Sequence, residues 1–218
     1  LPMLRKQFVV NKKIKNAWFY ICGLGQFNSY LNGDKIGDHV MDPAWTNYDK
    51  TVNYITFDLT SNLHQGKNAI GVMLGNGVFA NKGMRDFGPL IMIAQLHIIF
   101  EDGTSTNIVS DQTWKAQQSP FISATFDASE NYDARLEVDG WSTATIDDSK
   151  WDDAVIARSP LGDLVAQNSP PITVRKIFDP VRISSPAPGV LLYDFGQNMS
   201  GQFEVNLRGT RGAVVKMM

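Results

Sequence analysis

The chain has 218 residues, of which 43% are hydrophobic and 19% charged, and this composition excludes wholesale disorder. Its formal net charge of −2 argues against general electrostatic binding to nucleic acid or to anionic membranes. Because no apolar run reaches the length that spans a bilayer, we expect a folded, water-soluble chain without nucleic-acid or membrane partners.

Strand patterns occupy the first part of the chain. Asn32-Gly33 separates two strand-like runs, and because both residues tolerate positive φ the pair predicts a hairpin turn. Apolar and polar residues alternate over 52–60, which is the period of a half-buried strand. The runs 69–74 and 90–100 are apolar on both faces, which predicts central strands covered on two sides. Since no segment carries a sustained helical stripe, the fold class is all-β, a β-sandwich.

The composition changes at residues 159–171, where proline, glycine and serine cluster and the strand pattern stops. Strand-like runs resume at 172–177, 190–193 and 203–207. We therefore predict a first β-sandwich over residues 1–158 and a linker over 159–171. Residues 172–218 then begin a second β-sandwich, which is truncated because so short a segment cannot close one.

Cys22 is the only cysteine, which excludes an internal disulfide and a cysteine-based zinc site. The chain opens with Leu1-Pro2 and stops within the strand-like run 213–218. We interpret both ends as cuts, so the lack of a signal peptide does not decide the compartment. The histidines, His39, His64 and His97, have no spacing expected of metal ligands.

Carboxylates crowd into the acidic segment 127–139, which contains Asp127, Glu130, Asp133, Glu137 and Asp139. Glycoside hydrolysis needs two carboxyl groups facing each other across a sugar, so this segment is a candidate catalytic loop. Its oxygens would also suit calcium. The simpler interpretation, which we favour, is an exposed loop whose aspartates cap turns.

Trp45 lies in the turn-rich stretch 42–46 rather than in a strand. An exposed indole can stack on the apolar face of a sugar ring. Alternatively, Trp45 plugs the end of the sandwich. Trp141 and Trp151 flank a polar stretch and are expected to anchor a long loop onto the sandwich.

Six strings, taken in order, resemble the N-terminal half of bacterial α-L-rhamnosidases. They are SYLNGDKIGD (29–38), MDPAWTNY (41–48), VMLGNGVF (72–79), ENYDARLE (130–137), GWSTATIDDSKW (140–151) and YDFGQNMSG (193–201). The resemblance covers nearly the whole chain. It implies a jelly-roll, galactose-binding-like β-sandwich first, and then the beginning of the sandwich that leads into a catalytic helical barrel.

The resemblance also implies a function for the parent protein. Family members hydrolyse terminal α-L-rhamnose with inversion, using acidic residues of an (α/α)6 barrel that lies further along the chain. No catalytic residue is therefore assigned here. In some relatives the jelly roll binds rhamnose through calcium held by Asp and Asn side chains beside a Trp. Trp45 and Asn76 best match that arrangement, with Asn28 a weaker match.

Three hypotheses follow from these patterns. The first is a non-catalytic piece of a glycoside hydrolase that orients the missing barrel of the same protein and requires no cofactor. The second is a calcium-assisted module for rhamnose-containing glycans. The third is a self-contained glycosidase that uses the segment 127–139. A bacterial origin would be compatible with a cytoplasmic, periplasmic or extracellular location.

Overall fold

A computed structural model of the chain describes residues 1–81, 85–124, 130–160 and 162–218. Across these ranges the regular structure is β-strand apart from one 3-10 turn, Ala134–Leu136. Within the same ranges, no helix is both long and apolar enough to cross a lipid bilayer. The predicted all-β class is confirmed.

The strands are numbered in chain order. They are β1 Pro2–Val10, β2 Ile14–Leu24, β3 Gln26–Leu31, β4 Asp34–Lys35, β5 His39–Val40, β6 Thr51–Asp58, β7 Gly66–Gly75, β8 Ala80–Asn81, β9 Arg85–Asp86, β10 Ile91–Phe100, β11 Ser105–Val109, β12 Lys115–Gln118, β13 Phe121–Ala124, β14 Glu130–Tyr132, β15 Asp152–Asp153, β16 Asp163–Ala166, β17 Ile172–Thr173, β18 Arg182–Ala187 and β19 Val190–Asp194.

Two sheets form the sandwich. Sheet A is six-stranded in the order β15-β12-β1-β7-β3-β4, and sheet B is five-stranded in the order β11-β10-β2-β6-β16. All pairings in them are antiparallel except that of β16 with β6, which is parallel. The predicted hairpin turn is confirmed, since Asn32 has a φ of 55° and Gly33 a φ of 102° between the paired strands β3 and β4.

The main core lies between the sheets and follows the two-residue period of the strands. Phe19 and Ile21 of β2 face Ile70 and Val72 of β7, and each of these side chains is at most 1% exposed. Every second residue of these strands points to the opposite face, which we call the outer face of each sheet. This alternation does not determine whether another segment of the chain covers an outer face.

The predicted two-sided burial is confirmed for β7 but wrong for β10. A Cβ added at Gly71 would lie 2.5 Å from the ring of Trp141, so the outer face of β7 is covered. On β10, Leu96 is fully buried while Ile93 on the outer face is 54% exposed. The apolar composition of β10 wrongly indicated burial on both faces, because aliphatic residues are also common on strands with one face in solvent.

Arg5 holds the cover on sheet A. Its guanidinium is fully buried and donates to the carbonyl oxygens of Trp141 (2.7 Å) and Thr143 (2.6 Å). It also forms an ion pair with Asp148 and lies 5.8 Å from the ring centroid of Trp151. The segment 138–151 is therefore anchored on the sandwich, as predicted from its two tryptophans, through a buried charge whose three nitrogens each donate a hydrogen bond.

The chain divides into two units, Leu1–Thr173 and Val174–Met218. The first unit includes β16, which lies inside the predicted linker 159–171 and extends sheet B along β6. All four residues of β16 are exposed. Its side chains therefore show no alternation of buried and exposed residues. Because backbone hydrogen bonds hold it to β6, nothing in the sequence indicated this strand.

In the second unit, β18 and β19 form an antiparallel hairpin. The predicted strand at 190–193 is confirmed by β19, but the one at 203–207 is wrong, because these residues have no strand conformation. The strand β18 was not predicted because Pro186 interrupts it. Proline is tolerated in strands at bulges, and the register of β18 with β19 shifts between Ser184 and Ala187.

Candidate functional site

A cavity of about 580 Å³ lies beside the loop that follows β7. It contains one predicted site residue, Asn76. The described residues that line it combine one amide, one carboxylate and several apolar groups: Asn76, Ala80, Asp86, Phe87, Gly88, Pro89 and Leu90.

Asn76 is fixed by its backbone neighbours. Its Nδ2 donates to the carbonyl oxygen of Ala80 at 3.3 Å, and its Oδ1 accepts the N–H of Ala124 at 3.4 Å. Its own carbonyl lies so close to Gly25 that a Cβ added there would come within 2.0 Å of it. Glycine is therefore required at position 25, because any side chain would push Asn76 out of place.

An aromatic cluster packs against Phe87, one of the residues that line the cavity. Phe79 and Phe87 stack with centroids 5.9 Å apart, and Tyr48 contacts each ring edge-on at 5.1 Å. With Cys22 and Val52 these rings form a second buried cluster on the outer face of sheet B. Burial raises the pKa of Tyr48 to about 12 and that of Cys22 to about 12. Both groups are thus protonated at neutral pH, and Cys22 is not a nucleophile.

Trp45 is 70% exposed, so the interpretation of Trp45 as a plug of the sandwich is wrong. Its backbone neighbour Ala44 is held by Gln167 Oε1, which accepts the Ala44 N–H at 2.8 Å. Three residues further on, Tyr48 contacts Phe87 of the cavity lining. Trp45 is therefore presented to solvent on a segment that borders the cavity, although it is not among the described residues that line it.

Asp42 anchors the start of the same segment. Its carbonyl oxygen accepts the N–H of Phe27 at 2.9 Å, and its carboxylate lies 2.7 Å from His39 Nδ1. Asp42 is 5% exposed, and burial raises the pKa of its carboxyl while the hydrogen bond with His39 opposes this change. Asp42 thus acts inside the fold rather than on a ligand.

Asn28 is exposed on the outer face of sheet A, where it pairs with Met73 of β7. It is not among the described residues that line the cavity. Of the three predicted ligand residues, the structure therefore brings Asn76 into the cavity, places Trp45 on the bordering segment and puts Asn28 on a sheet face.

Asp86 and Phe87 line the cavity but were missed from the sequence. The signal was present as an acidic–aromatic pair in a turn-rich stretch, but such pairs are common in loops. Asp86 Oδ1 accepts the N–H of Gly88 at 3.1 Å. The described ranges hold no group of three or more histidine, cysteine or carboxylate side chains placed to bind a metal.

In the acidic segment, residues 127–129 lie outside the described residues, and the remainder forms local contacts. Asp133 caps the 3-10 turn by accepting the N–H of Arg135 at 3.0 Å, and it pairs with the guanidinium of the same residue. Glu137 accepts the hydroxyl of Tyr132. Neither carboxylate is among the described residues lining a cavity, which supports the turn-capping interpretation.

A second cavity of about 400 Å³ lies beside the β3–β4 turn. Two of its polar side chains have partners in the fold, as Asn76 and Asp86 have in the first cavity. Asn32 Nδ2 donates to Asn68 Oδ1 at 2.9 Å, and Asp58 Oδ1 accepts the N–H of Thr60 at 2.9 Å. The second cavity contains none of the three predicted ligand residues, so the first cavity is the better candidate site.

Residues 12–176 match the model of the α-L-rhamnosidase N-terminal domain. The chain belongs to this family. It is 34% identical over 98% of its length to an α-L-rhamnosidase of Formosa agariphila, and 35% identical over 98% of its length to one of Streptomyces avermitilis. The chain covers only 24% and 22% of these two relatives.

Solved structures agree with this assignment. The α-L-rhamnosidase from Dictyoglumus thermophilum is 43% identical with a TM-score of 0.86, and the match covers 90% of this chain and 22% of that one. The Streptomyces avermitilis α-L-rhamnosidase complexed with L-rhamnose is 36% identical with a TM-score of 0.84, and the match covers 91% and 20% of the two chains. The family predicted from the six sequence strings is confirmed.

Proposed function

We propose that this chain is a non-catalytic β module of an α-L-rhamnosidase, which orients a catalytic barrel of the parent protein that cleaves terminal α-L-rhamnose. The carrying observation is that the family match is to an N-terminal domain, and that the chain covers 22–24% of its curated relatives. The remaining three-quarters of such relatives have room for the catalytic domain.

The contacts of the acidic segment support this proposal. An inverting glycosidase needs an acid and a base roughly 6.5–9.5 Å apart on opposite sides of a bound sugar. Asp133 is paired with Arg135, and Glu137 with Tyr132, so both carboxylates are engaged by their own neighbours. We therefore assign no catalytic residue in the described part of the chain.

The test is an assay of the purified chain with an aryl α-L-rhamnoside, beside a full-length α-L-rhamnosidase as positive control. We expect no turnover by the chain alone. Turnover that survives repurification and disappears in Glu137→Gln, but not in the exposed control Asp153→Asn, would show that the acidic segment is catalytic.

A second function, binding of L-rhamnose by the same module, is favoured by the exposure of Trp45 next to the cavity of Asn76. Rhamnose offers an apolar, methyl-bearing side on which an indole can stack and vicinal hydroxyls that an amide or a cation can bind. Trp45 would supply the first contact and Asn76 the second. The carboxylates of the acidic segment would be costly to desolvate against a neutral sugar.

Calcium fits this second function as an assisting ion. It takes carboxylate, amide and backbone oxygens in flexible geometry, and the cavity presents the Asp86 carboxylate and Asn76 Oδ1 together with loop carbonyls. Two such side chains are fewer than a tight site uses, so we expect weak binding of the ion. Asp86 and Asn76 would hold the ion, and it would supply positive charge that attracts sugar hydroxyls.

Titration calorimetry with L-rhamnose, with calcium and then with a chelator, tests this function. Chelation should lower the affinity at least tenfold, and Trp45→Ala should do the same without changing the melting temperature, because the indole is exposed. Glu130→Gln in the acidic segment is the matched control and should bind as well as the parent chain. Full affinity in Trp45→Ala would reject the site.

A further inference from the structure

The outer face of sheet B carries a group of aromatic side chains that the proposed function does not use. Trp18 and Tyr20 of β2 and Tyr54 of β6 alternate with the core residues of their strands and are partly exposed. The rings of Tyr20 and Tyr54 lie edge-to-face with centroids 6.1 Å apart. We call these three residues the aromatic platform.

The strand register places uncharged polar groups beside the platform. Tyr20 stands between Gln95 of β10 and Thr56 of β6 in one cross-strand row. Ile93, which is 54% exposed, precedes Gln95 on the same face of β10. The row of Tyr20 therefore combines an aromatic ring with an amide and a hydroxyl, and Ile93 in the adjacent row adds an exposed aliphatic surface.

The next row across the sheet has Asn107, His97, Trp18 and Asp58 side by side. Asn107 Oδ1 accepts from His97 Nδ1 at 2.7 Å, so this contact leaves the ring nitrogen Nε2 for a ligand. The amide nitrogen of Asn107 remains a donor. His97 and Asp58 are the direct neighbours of Trp18 in this row, and the amide of Asn107 lies one strand further away.

A wall closes one end of the platform. Tyr54 and Ile91 pack against the buried cluster that contains Tyr48 and Phe79, and this cluster lies on the same outer face of sheet B. The outer face of sheet B thus carries Trp18 and Tyr20, and the residues around Tyr48 and Phe79 rise above it at one end. The result is a sheet surface that is bounded at one end and carries three partly exposed rings.

The size and chemistry of the aromatic platform indicate which class of ligand it can bind. Trp18 and Tyr20 are two residues apart, about 7 Å along the strand, and neighbouring strands are about 4.8 Å apart. The platform therefore exceeds one sugar ring in both directions. Its two rows contain no lysine or arginine, which disfavours nucleic acid. A protein partner packed there would bury Gln95, Asn107 and His97 at a cost unless each found a hydrogen-bond partner.

We propose that the outer face of sheet B is a platform that binds a neutral polysaccharide chain, distinct from the loop site of Trp45 and Asn76. The rings of Trp18, Tyr20 and Tyr54 stack on successive sugar rings. Gln95, Asn107 and His97 bind the hydroxyls between them. The platform would hold the module on a glycan while leaving chain ends free, and it does not depend on the proposed rhamnose site.

Affinity electrophoresis of the whole chain through gels containing xyloglucan, glucomannan or arabinogalactan tests the proposal. We expect at least one of these polysaccharides to retard the parent chain. Tyr20→Thr combined with Tyr54→Thr, which keeps strand-forming residues at both positions, should weaken the retardation at least tenfold. Tyr193→Thr is the matched control, since Tyr193 is an exposed strand tyrosine of the second unit outside both proposed sites, and it should be retarded like the parent chain. No retardation by any of the three polysaccharides would overturn the proposal.

Indole N–H signals of the unmodified chain give a readout that does not depend on the stability of a variant. On addition of the retarding polysaccharide's oligosaccharide, the signal of Trp18, assigned with Trp18→Phe, should shift while that of Trp45 stays in place. A shift confined to Trp45 would overturn the proposal. Broadening of the Trp18 signal with protein concentration alone would also overturn it, because a second protein copy would then cover the face.

Discussion

The outer face of sheet A is covered by another segment of the chain, whereas much of the outer face of sheet B is exposed. On sheet A, the segment 138–151 covers β1 and β7, and the charge that fastens it, Arg5, is fully buried. On sheet B, the residues around Phe79 cover one end, and in the described part of the chain the middle retains exposed aliphatic and partly exposed aromatic side chains. The two faces are built from similar alternating strands, so the difference arises from what distant parts of the chain place on them.

This difference shows how a sandwich separates stability from binding. A face sealed by a buried ion pair and tryptophan rings is committed to the fold, because opening it would expose an unpaired carboxylate and several carbonyl groups. A face left open contributes less to stability and is available for a ligand. Substitutions on the two faces should therefore have very different costs.

The largest effect is expected at Arg5 on the sealed face. Arg5→Met removes a buried cation and leaves Asp148 and two carbonyl oxygens without their donor, which should cost about 3 kcal/mol and lower the melting temperature by roughly 6–12 °C. Thermal unfolding followed by circular dichroism measures this change.

Lys115→Met is the control for Arg5, since its pair with Asp153 is largely exposed and should contribute less than about 1 kcal/mol. Equal melting temperatures for the two variants would mean that the segment 138–151 contributes little to the stability of the sandwich.

A smaller loss is expected at Gly71. In Gly71→Ala the added Cβ meets the ring of Trp141 at 2.5 Å, so the segment must shift outward at a cost of about 1–3 kcal/mol. The control is Gly75→Ala on the same strand, where the nearest atom to the added Cβ is 3.9 Å away. Urea unfolding curves compare the two. A Gly71→Ala chain as stable as the Gly75→Ala chain would show that Trp141 is not seated on β7.

The smallest effect is expected on the open face. Ile93→Val and Ile98→Val make the same change on the same strand, but Ile98 is fully buried while Ile93 is 54% exposed. The inner substitution should cost about 0.5–1.5 kcal/mol, and the outer one less than about 0.5 kcal/mol. Equal losses in urea unfolding would indicate that something covers the outer face of sheet B, and would reduce the contrast between the sheets.

Ligand residues were predicted less completely than the fold. Trp45 and Asn76 were found because a tryptophan in a turn and an asparagine between glycines stand out locally. Asp86 and Phe87 became visible only when the loop folded beside Asn76. The aromatic platform was missed for the same reason: Trp18 and Tyr54 belong to different strands, and nothing local marks them as neighbours.

The sequence by itself determined the all-β class, the alternating strand within 52–60 and the Asn32-Gly33 turn, because a strand's period and a turn's φ values are properties of a few adjacent residues. Only the tertiary structure decided which outer face is sealed, that β16 joins sheet B and that 203–207 forms no strand. Those outcomes depend on hydrogen bonds and packing between segments far apart in the chain, such as Arg5 with Asp148, and no local pattern encodes a partner more than a hundred residues away.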